Sequence, residues 1–167
     1  MHITALSFSF LPPWFATIPL GWIIIVVGTL LLTFDAMRSG PARAAVIVVT
    51  SSIALFIYSL IPYTYFLDTF VTTSTSLVSA AIFGGLFIFI FLLMHRIVFN
   101  LGSTSDGLVM SFIAGVCGMI AVTITWLHVP ALMMLWNPGS EINLLFGLPY
   151  ALGWFIGIYI VLAFLRS

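Results

Sequence analysis

Long apolar stretches dominate the chain, and short polar segments separate them. Five of these stretches have about the 20 residues that an α-helix needs to cross the hydrocarbon core of a bilayer. The pattern therefore predicts an all-α fold, a polytopic transmembrane helical bundle of about five spans, in which residues 1–167 form a single integral membrane domain. The five predicted spans are Ile18 to Met37, Pro41 to Ile61, Ser76 to Phe99, Gly107 to Val129 and Leu144 to Leu165.

The segments between the spans are rich in residues that favour turns. Pro41 is suited to the first turn of the second helix, because a missing N–H group does no harm there. Ser105 or Asp106 is predicted to cap the fourth helix. The predicted breaks are Ser39-Gly40-Pro41, Thr69 to Thr75, Gly102 to Ser105 and Asn137-Pro138-Gly139.

The composition strengthens the membrane assignment. Hydrophobic residues make up 63% of the chain and charged residues 5%, and the mean hydropathy is +1.32. A water-soluble domain needs far more polar surface than this. The lipid bilayer is thus the expected surrounding, and a net charge of zero without any lysine argues against a nucleic-acid partner. No Lys or Arg precedes the first span, which we expect to be retained rather than cleaved as a signal peptide.

The rare arginines predict the orientation of the spans. Arg38 and Arg43 flank the first break, Arg96 ends the third span, and Arg166 follows the fifth. Because short cytoplasmic loops are enriched in arginine, we expect all four on the cytoplasmic side, with the N-terminus outside and the C-terminus inside. Asp35 and Arg38 are three residues apart and are predicted to form a local ion pair at this boundary.

Small residues recur at four-residue spacing in the later spans. Ser111 and Gly115 belong to one such stripe in the fourth span, and Ala80 with Gly84 begin another in the third. Stripes of this kind let helix backbones approach closely in lipid. We favour packing within one bundle for them, and a homo-oligomeric interface or a membrane-protein partner remains the other interpretation.

The sequence contains little that predicts catalysis or a cofactor. No GxSxG or HExxH motif is present, and the hydroxyl groups in the spans are expected to bond the carbonyl one turn back. His95 and His128 fall at opposite ends of antiparallel spans, about 30 Å apart, so they cannot share an ion within one chain. We therefore predict no enzyme, no metal and no cofactor, while either histidine alone remains a candidate axial ligand for a haem or pigment.

The order of these features resembles the colicin V production protein (CvpA) family over roughly residues 20–130. That family has an Arg-Gly-x-x-Arg motif before its second span; here Gly40 and Arg43 match it, with one residue inserted after Arg38. In the family an Asp before the fourth span precedes small residues at four-residue spacing, as Asp106 does Ser111 and Gly115. The chain departs from the family where Gly107 replaces an arginine, where Ala44 replaces an acidic residue, and in its fifth span.

The resemblance implies a non-enzymatic protein of the bacterial inner (cytoplasmic) membrane that takes part in export or envelope maintenance, and we expect it to act through helix–helix contacts. Two alternatives remain. One is a small-solute binding or transport subunit, with Asn137, Glu141 and Asn143 as the lid of a polar vestibule rather than a solvated turn. The other is an accessory subunit of a larger respiratory or photosynthetic complex that uses His95 or His128.

Overall fold

The computed structural model describes residues 18–60, 76–99 and 107–165. Within this part of the chain every regular element is an α-helix, which confirms the predicted all-α class. Asp106 and Arg166 lie outside the described residues, so the structure does not locate them. The helices are α1 (Leu20–Ser39), α2 (Pro41–Leu60), α3 (Ser76–Phe99), α4 (Leu108–His128), α5 (Pro130–Leu135), α6 (Ser140–Phe146) and α7 (Leu148–Leu165).

Helices α1 to α4 are each long and apolar enough to cross a bilayer, with mean hydropathies between 1.8 and 2.7. Helices α6 and α7 meet that condition only together, and they are bent by 57° relative to each other. By length and composition the described residues thus contain four spans, or five if the bent pair is one span. The prediction of a continuous helix from Leu144 to Leu165 is wrong, because the helix is interrupted at Gly147.

The interruption at Gly147 has a cause in the next residues. Pro149 has no N–H group to donate to the carbonyl of Leu145, so a regular helix cannot continue through it. The indole Nε1 of Trp154 donates to that carbonyl instead, at 2.9 Å. Gly147 itself lies so close to the carbonyl oxygen of Asn143 that a Cβ atom would not fit. The bend therefore leaves the Leu145 carbonyl satisfied inside an apolar segment.

Helix α4 lies at the centre of the bundle. Half of the most apolar 18-residue segment of α4 is buried, compared with 17% of that segment in α1 and 22% in α3. Helix α1 is antiparallel to it, since Gly28 lies beside Met119 and Thr33 lies beside Gly115. The small residues of α4 thus face neighbouring helices.

Helices α2 and α7 pack on α4 as well. Val48 of α2 and Ile158 of α7 form one buried cluster with Cys117 and Ala121 of α4. Farther along, Ile124 of α4 packs in a second cluster with residues of α6 and α7. Later residues of α4 contact earlier residues of α7, so the two helices are antiparallel.

Helix α3 packs against α2 rather than against α4. The ring of Phe83, near the start of α3, meets Tyr58, near the end of α2, edge to face at 5.3 Å. Helix α3 therefore starts where α2 ends, and Arg96 lies in its last turn. We call the end of the bundle that contains the α1–α2 turn the Gly40 end, and the opposite end the His128 end.

The two ends of α4 are formed in different ways. Gly107, in extended conformation, is the N-cap residue, whereas the predicted caps Ser105 and Asp106 lie outside the described residues. At the other end, Pro130 forces the preceding Val129 into an extended conformation and then starts the short helix α5. This helix was not predicted, and it covers α3 through Val129 and Ala131.

Candidate functional site

The turn between α1 and α2 contains the residues that match the CvpA-like motif. Gly40 has a φ of 85°, a conformation that L-residues with a side chain rarely adopt. It is the single residue between the two helices, and its carbonyl accepts a hydrogen bond from the Arg43 backbone N–H at 3.2 Å. Glycine at this position therefore permits the tight reversal from α1 into α2.

Arg43 holds the two helices together at this turn. Its Nη1 atom donates to Asp35 Oδ1 at 3.0 Å and to Ser39 Oγ at 3.2 Å. The predicted pair of Asp35 with Arg38 is wrong, because the reversal at Gly40 brings Arg43 over the last turns of α1. Arg38 is exposed. The side chains of Arg43 and Asp35 are 37% and 35% exposed, so the pair contributes at most about 1 kcal/mol.

Ser111 and Gly115 lie in α4, and both are buried. A Cβ atom built on Gly115 would lie 2.7 Å from the backbone nitrogen of Thr33 and 2.8 Å from its Cα. These are backbone atoms of α1, so they cannot yield as a flexible side chain does. Gly115 therefore serves close packing within the chain, as favoured from the sequence, and its neighbour Thr33 lies about two helical turns before Gly40.

His95 and His128, the two histidines among the described residues, lie at opposite ends of the bundle, as predicted. The ring of His95 meets that of Phe91 at 5.8 Å in α3, whereas His128 is the last residue of α4. Among residues 18–60, 76–99 and 107–165, no three His, Cys, Asp or Glu side chains are grouped so that they could hold a metal ion.

The polar residues after α5 take part in a turn and in a helix contact. Asn137 Oδ1 accepts the backbone N–H of Gly139 at 3.1 Å, which makes the local turn that the sequence favoured. Glu141 Oε2 accepts the indole N–H of Trp22 at 3.1 Å and so ties α6 to α1. Asn143 is exposed on α6. The side chains of Asn137 and Glu141 are thus already hydrogen-bonded within the chain.

A groove lies between α2, α4 and α7 in the half of the bundle nearer to His128. Its volume is about 500 Å³, and it is open on one side. Among the described residues, no Asp, Glu, Lys or Arg side chain lines it. The lining residues are Ser52, Leu55, Phe56 and Ser59 of α2, His128 of α4, and Phe155 and Tyr159 of α7.

Hydrogen bonds fix the four polar side chains of the groove. Tyr159 donates its hydroxyl to Ser52 Oγ at 2.9 Å, and Ser52 donates in turn to the carbonyl of Val48 at 3.1 Å. Ser59 donates to the carbonyl of Phe56 at 2.7 Å. His128 Nδ1 lies 2.7 Å from the carbonyl of Ile124. A carbonyl oxygen only accepts, so Nδ1 carries the hydrogen, and in the neutral ring Nε2 is an acceptor.

The sequence offered only a partial signal for this groove. Ser52 and Ser59 are seven residues apart on one face of α2, and Phe155 and Tyr159 are four apart on α7. The partner of Ser52, Tyr159, is 107 positions away in the sequence. Only the packing of α7 on α2 brings these side chains together.

The fold defines the chain as an all-helical integral membrane protein within the described residues. No family model, no curated protein and no solved structure matches it. The resemblance to the CvpA family stays a prediction that rests on Gly40, Arg43 and the residues around Asp106.

Proposed function

We propose that this chain is a non-enzymatic membrane subunit that works through contacts between its transmembrane helices and another transmembrane helix. The observation that carries the proposal is the environment of Gly85 in α3. It is exposed, and a Cβ atom built on it would meet no atom of the described residues within 4 Å. A glycine inside a helix costs about 0.5–1 kcal/mol relative to alanine, so its usual benefit is close approach of a second helix.

The other glycines of the bundle provide the comparison. Gly21, Gly28 and Gly115 each contact another part of the chain so closely that a Cβ atom would not fit without a shift. Gly153 of α7 resembles Gly85 and has open space around it. The inward glycines thus serve the bundle itself, whereas the outward ones are available to a second copy or a different membrane protein.

We further propose a CvpA-like role in export or envelope maintenance in the bacterial inner membrane. The orientation that goes with it has the N-terminus outside and the C-terminus in the cytoplasm. Two features support this orientation: Arg43 lies at the Gly40 end, and Arg96 lies in the last turn of α3, which starts at the opposite end. Arginines that collect at one end of a bundle favour the cytoplasmic face.

The variant Gly85→Leu tests the role of the outward face of α3. We expect the purified variant to lose its partner, because a leucine side chain holds the two backbones apart. Two differently tagged copies of the chain, expressed together, report self-association by co-purification. Proteins that co-purify with the wild-type chain from its native membrane report a different partner.

The control is Ile88→Leu, which exchanges one bulky side chain for another at an exposed position of the same helix. It should leave both kinds of co-purification unchanged. The proposal is contradicted if Gly85→Leu retains every partner of the wild-type protein. It is also contradicted if the wild-type chain purifies alone and monomeric.

A further inference from the structure

The groove between α2, α4 and α7 combines an apolar wall with polar groups that can only accept hydrogen bonds from a ligand. We propose that it binds a lipid-soluble alcohol or phenol, whose hydroxyl group donates a hydrogen bond to His128 Nε2. This is a ligand site in addition to the proposed contact between helices, and it does not depend on that contact.

The hydrogen bonds within the groove determine which head group fits. The hydroxyl hydrogens of Ser52, Ser59 and Tyr159 and the Nδ1 hydrogen of His128 are all donated to atoms of the chain itself. What these lining residues have left for a ligand are lone pairs: those of the three oxygens and that of Nε2 in the neutral ring. A ligand must therefore supply the donor.

A charged head group does not fit these conditions. A carboxylate or phosphate brings only acceptors, and with the His128 ring neutral the described lining residues offer it neither a cation nor a free donor. An ammonium group would need a counter-charge, and the nearest described acidic residue toward this end, Glu141, is bonded to Trp22. Burial of an unpaired charge in an apolar site is costly, so an uncharged hydroxyl group is the best match.

The walls of the groove suit the body of a lipid-soluble molecule. Leu55, Phe56 and Phe155 supply apolar surface, and Phe56 is 65% exposed on the outside of the bundle. From Ser52 to Ser59, α2 rises by about 10 Å. A hydroxyl group at His128 thus leaves an apolar chain room to follow the groove toward the Ser52–Tyr159 pair.

An ordinary acyl chain fills such a groove less well than a hydroxylated ligand does. It would cover His128 and leave Nε2 without a hydrogen-bond partner, and a buried polar group without a partner is destabilising. Among residues 18–60, 76–99 and 107–165, no hydrogen bond to Nε2 is present. The preference for a hydroxyl group over a simple chain is therefore the property to measure.

The test uses the full chain in lipid nanodiscs and a 16-carbon alcohol that carries a photoreactive diazirine on its chain. We expect labelling of residues that line the groove. Unlabelled 1-hexadecanol should compete about ten times better than hexadecyl methyl ether, which has the same chain and oxygen but no donor hydrogen. Hexadecanoic acid in its ionised form should compete no better than the ether.

The variant His128→Phe removes the acceptor and keeps an aromatic ring. It should lower labelling to the level seen with an excess of unlabelled 1-hexadecanol, whereas His95→Phe, the same change in α3, should leave labelling unchanged. If His128→Phe does not fold, the comparison of alcohol with ether on the wild-type chain decides alone. Equal competition by alcohol and ether, or labelling outside the groove, would overturn the proposal. Neither outcome bears on the partner test with Gly85→Leu.

Discussion

Hydroxyl groups inside the bundle differ in whether they have a partner. The side chains of Ser51, Thr123 and Thr125 each donate to the carbonyl one turn back, which confirms the expectation from the sequence. Thr33 and Thr50 do not follow this pattern. Their Oγ1 atoms are buried and have no hydrogen-bond partner among the residues that the structure describes. A buried hydroxyl group without a partner costs free energy that an apolar group of the same shape does not.

We expect Thr50→Val to leave the stability of the protein unchanged or to raise it by about 1 kcal/mol, because the unpartnered hydroxyl is removed at nearly constant shape. The matched control is Thr125→Val, which removes a hydroxyl that donates to the Ala121 carbonyl at 2.8 Å. This variant should lose at most about 0.6 kcal/mol, the average found for hydrogen bonds between helices in a membrane. Thermal unfolding in one detergent, at one scan rate, gives the order of the two. A Thr50→Val protein that unfolds earlier than Thr125→Val would contradict the assignment.

Among the elements, the contact between α1 and α4 depends most on a single residue type. At Gly115 the two backbones approach so closely that the Thr33 backbone nitrogen lies where even a methyl group would collide. The spacing of Ser111 and Gly115 indicated close packing from the sequence alone. It could not indicate which helix is the neighbour, because many pairs of apolar helices satisfy the same spacing.

The pair Gly115→Ala and Gly85→Ala tests this contact with one chemical change at two positions. The first should lower the free energy of unfolding by about 1–3 kcal/mol, since α1 must move to admit the Cβ atom. The second should raise it by about 0.5–1 kcal/mol, because alanine favours the helix and no described atom lies within 4 Å of the new one. Thermal unfolding of the two purified variants gives both signs. Equal effects at both positions would contradict the packing of α4 against α1.

Sequence patterns predicted the elements unequally well. The first four spans were predicted closely, because a bilayer-length apolar run bounded by turn residues permits little else. The break at Gly147 was missed, although Pro149 was a visible signal, since the apolar run continues through it. Helix α5 was missed because six residues are too few for a periodic pattern. The partner of Asp35 was predicted wrongly. A spacing of three residues on one helix favoured Arg38, whereas the chain reversal at Gly40 brings Arg43 to Asp35.

At the scale of the whole molecule, the groove is a site that the linear order of residues does not predict. Ser52, His128 and Tyr159 come from three helices, and each side chain taken alone is an ordinary residue of a membrane protein. Their common property, that every donor is already engaged, follows only from the hydrogen bonds of the folded chain. The site was therefore beyond prediction from the sequence, whereas the apolar spans that form it were not.

The number of crossings is the other property of the whole molecule. Helices α1 to α4 account for four, and the bent pair α6 and α7 is either a fifth crossing or a loop that enters and leaves on one side. The orientation that we propose requires the fifth crossing. It places the connection after α3 and the C-terminus on the cytoplasmic side, and Asn137 on the opposite side.

The most direct test is the reaction of single cysteines with a membrane-impermeant maleimide, in the full chain with Cys117→Ala as the background. Asn137→Cys should react in intact cells in which the reagent can reach the outer face of the cytoplasmic membrane. Ser103→Cys and Ser167→Cys should react only in inverted membrane vesicles. If Asn137→Cys and Ser167→Cys react from the same side, α6 and α7 do not cross the membrane. If Ser103→Cys reacts from the outside, the arginines do not share the cytoplasmic face, and the proposed orientation is wrong.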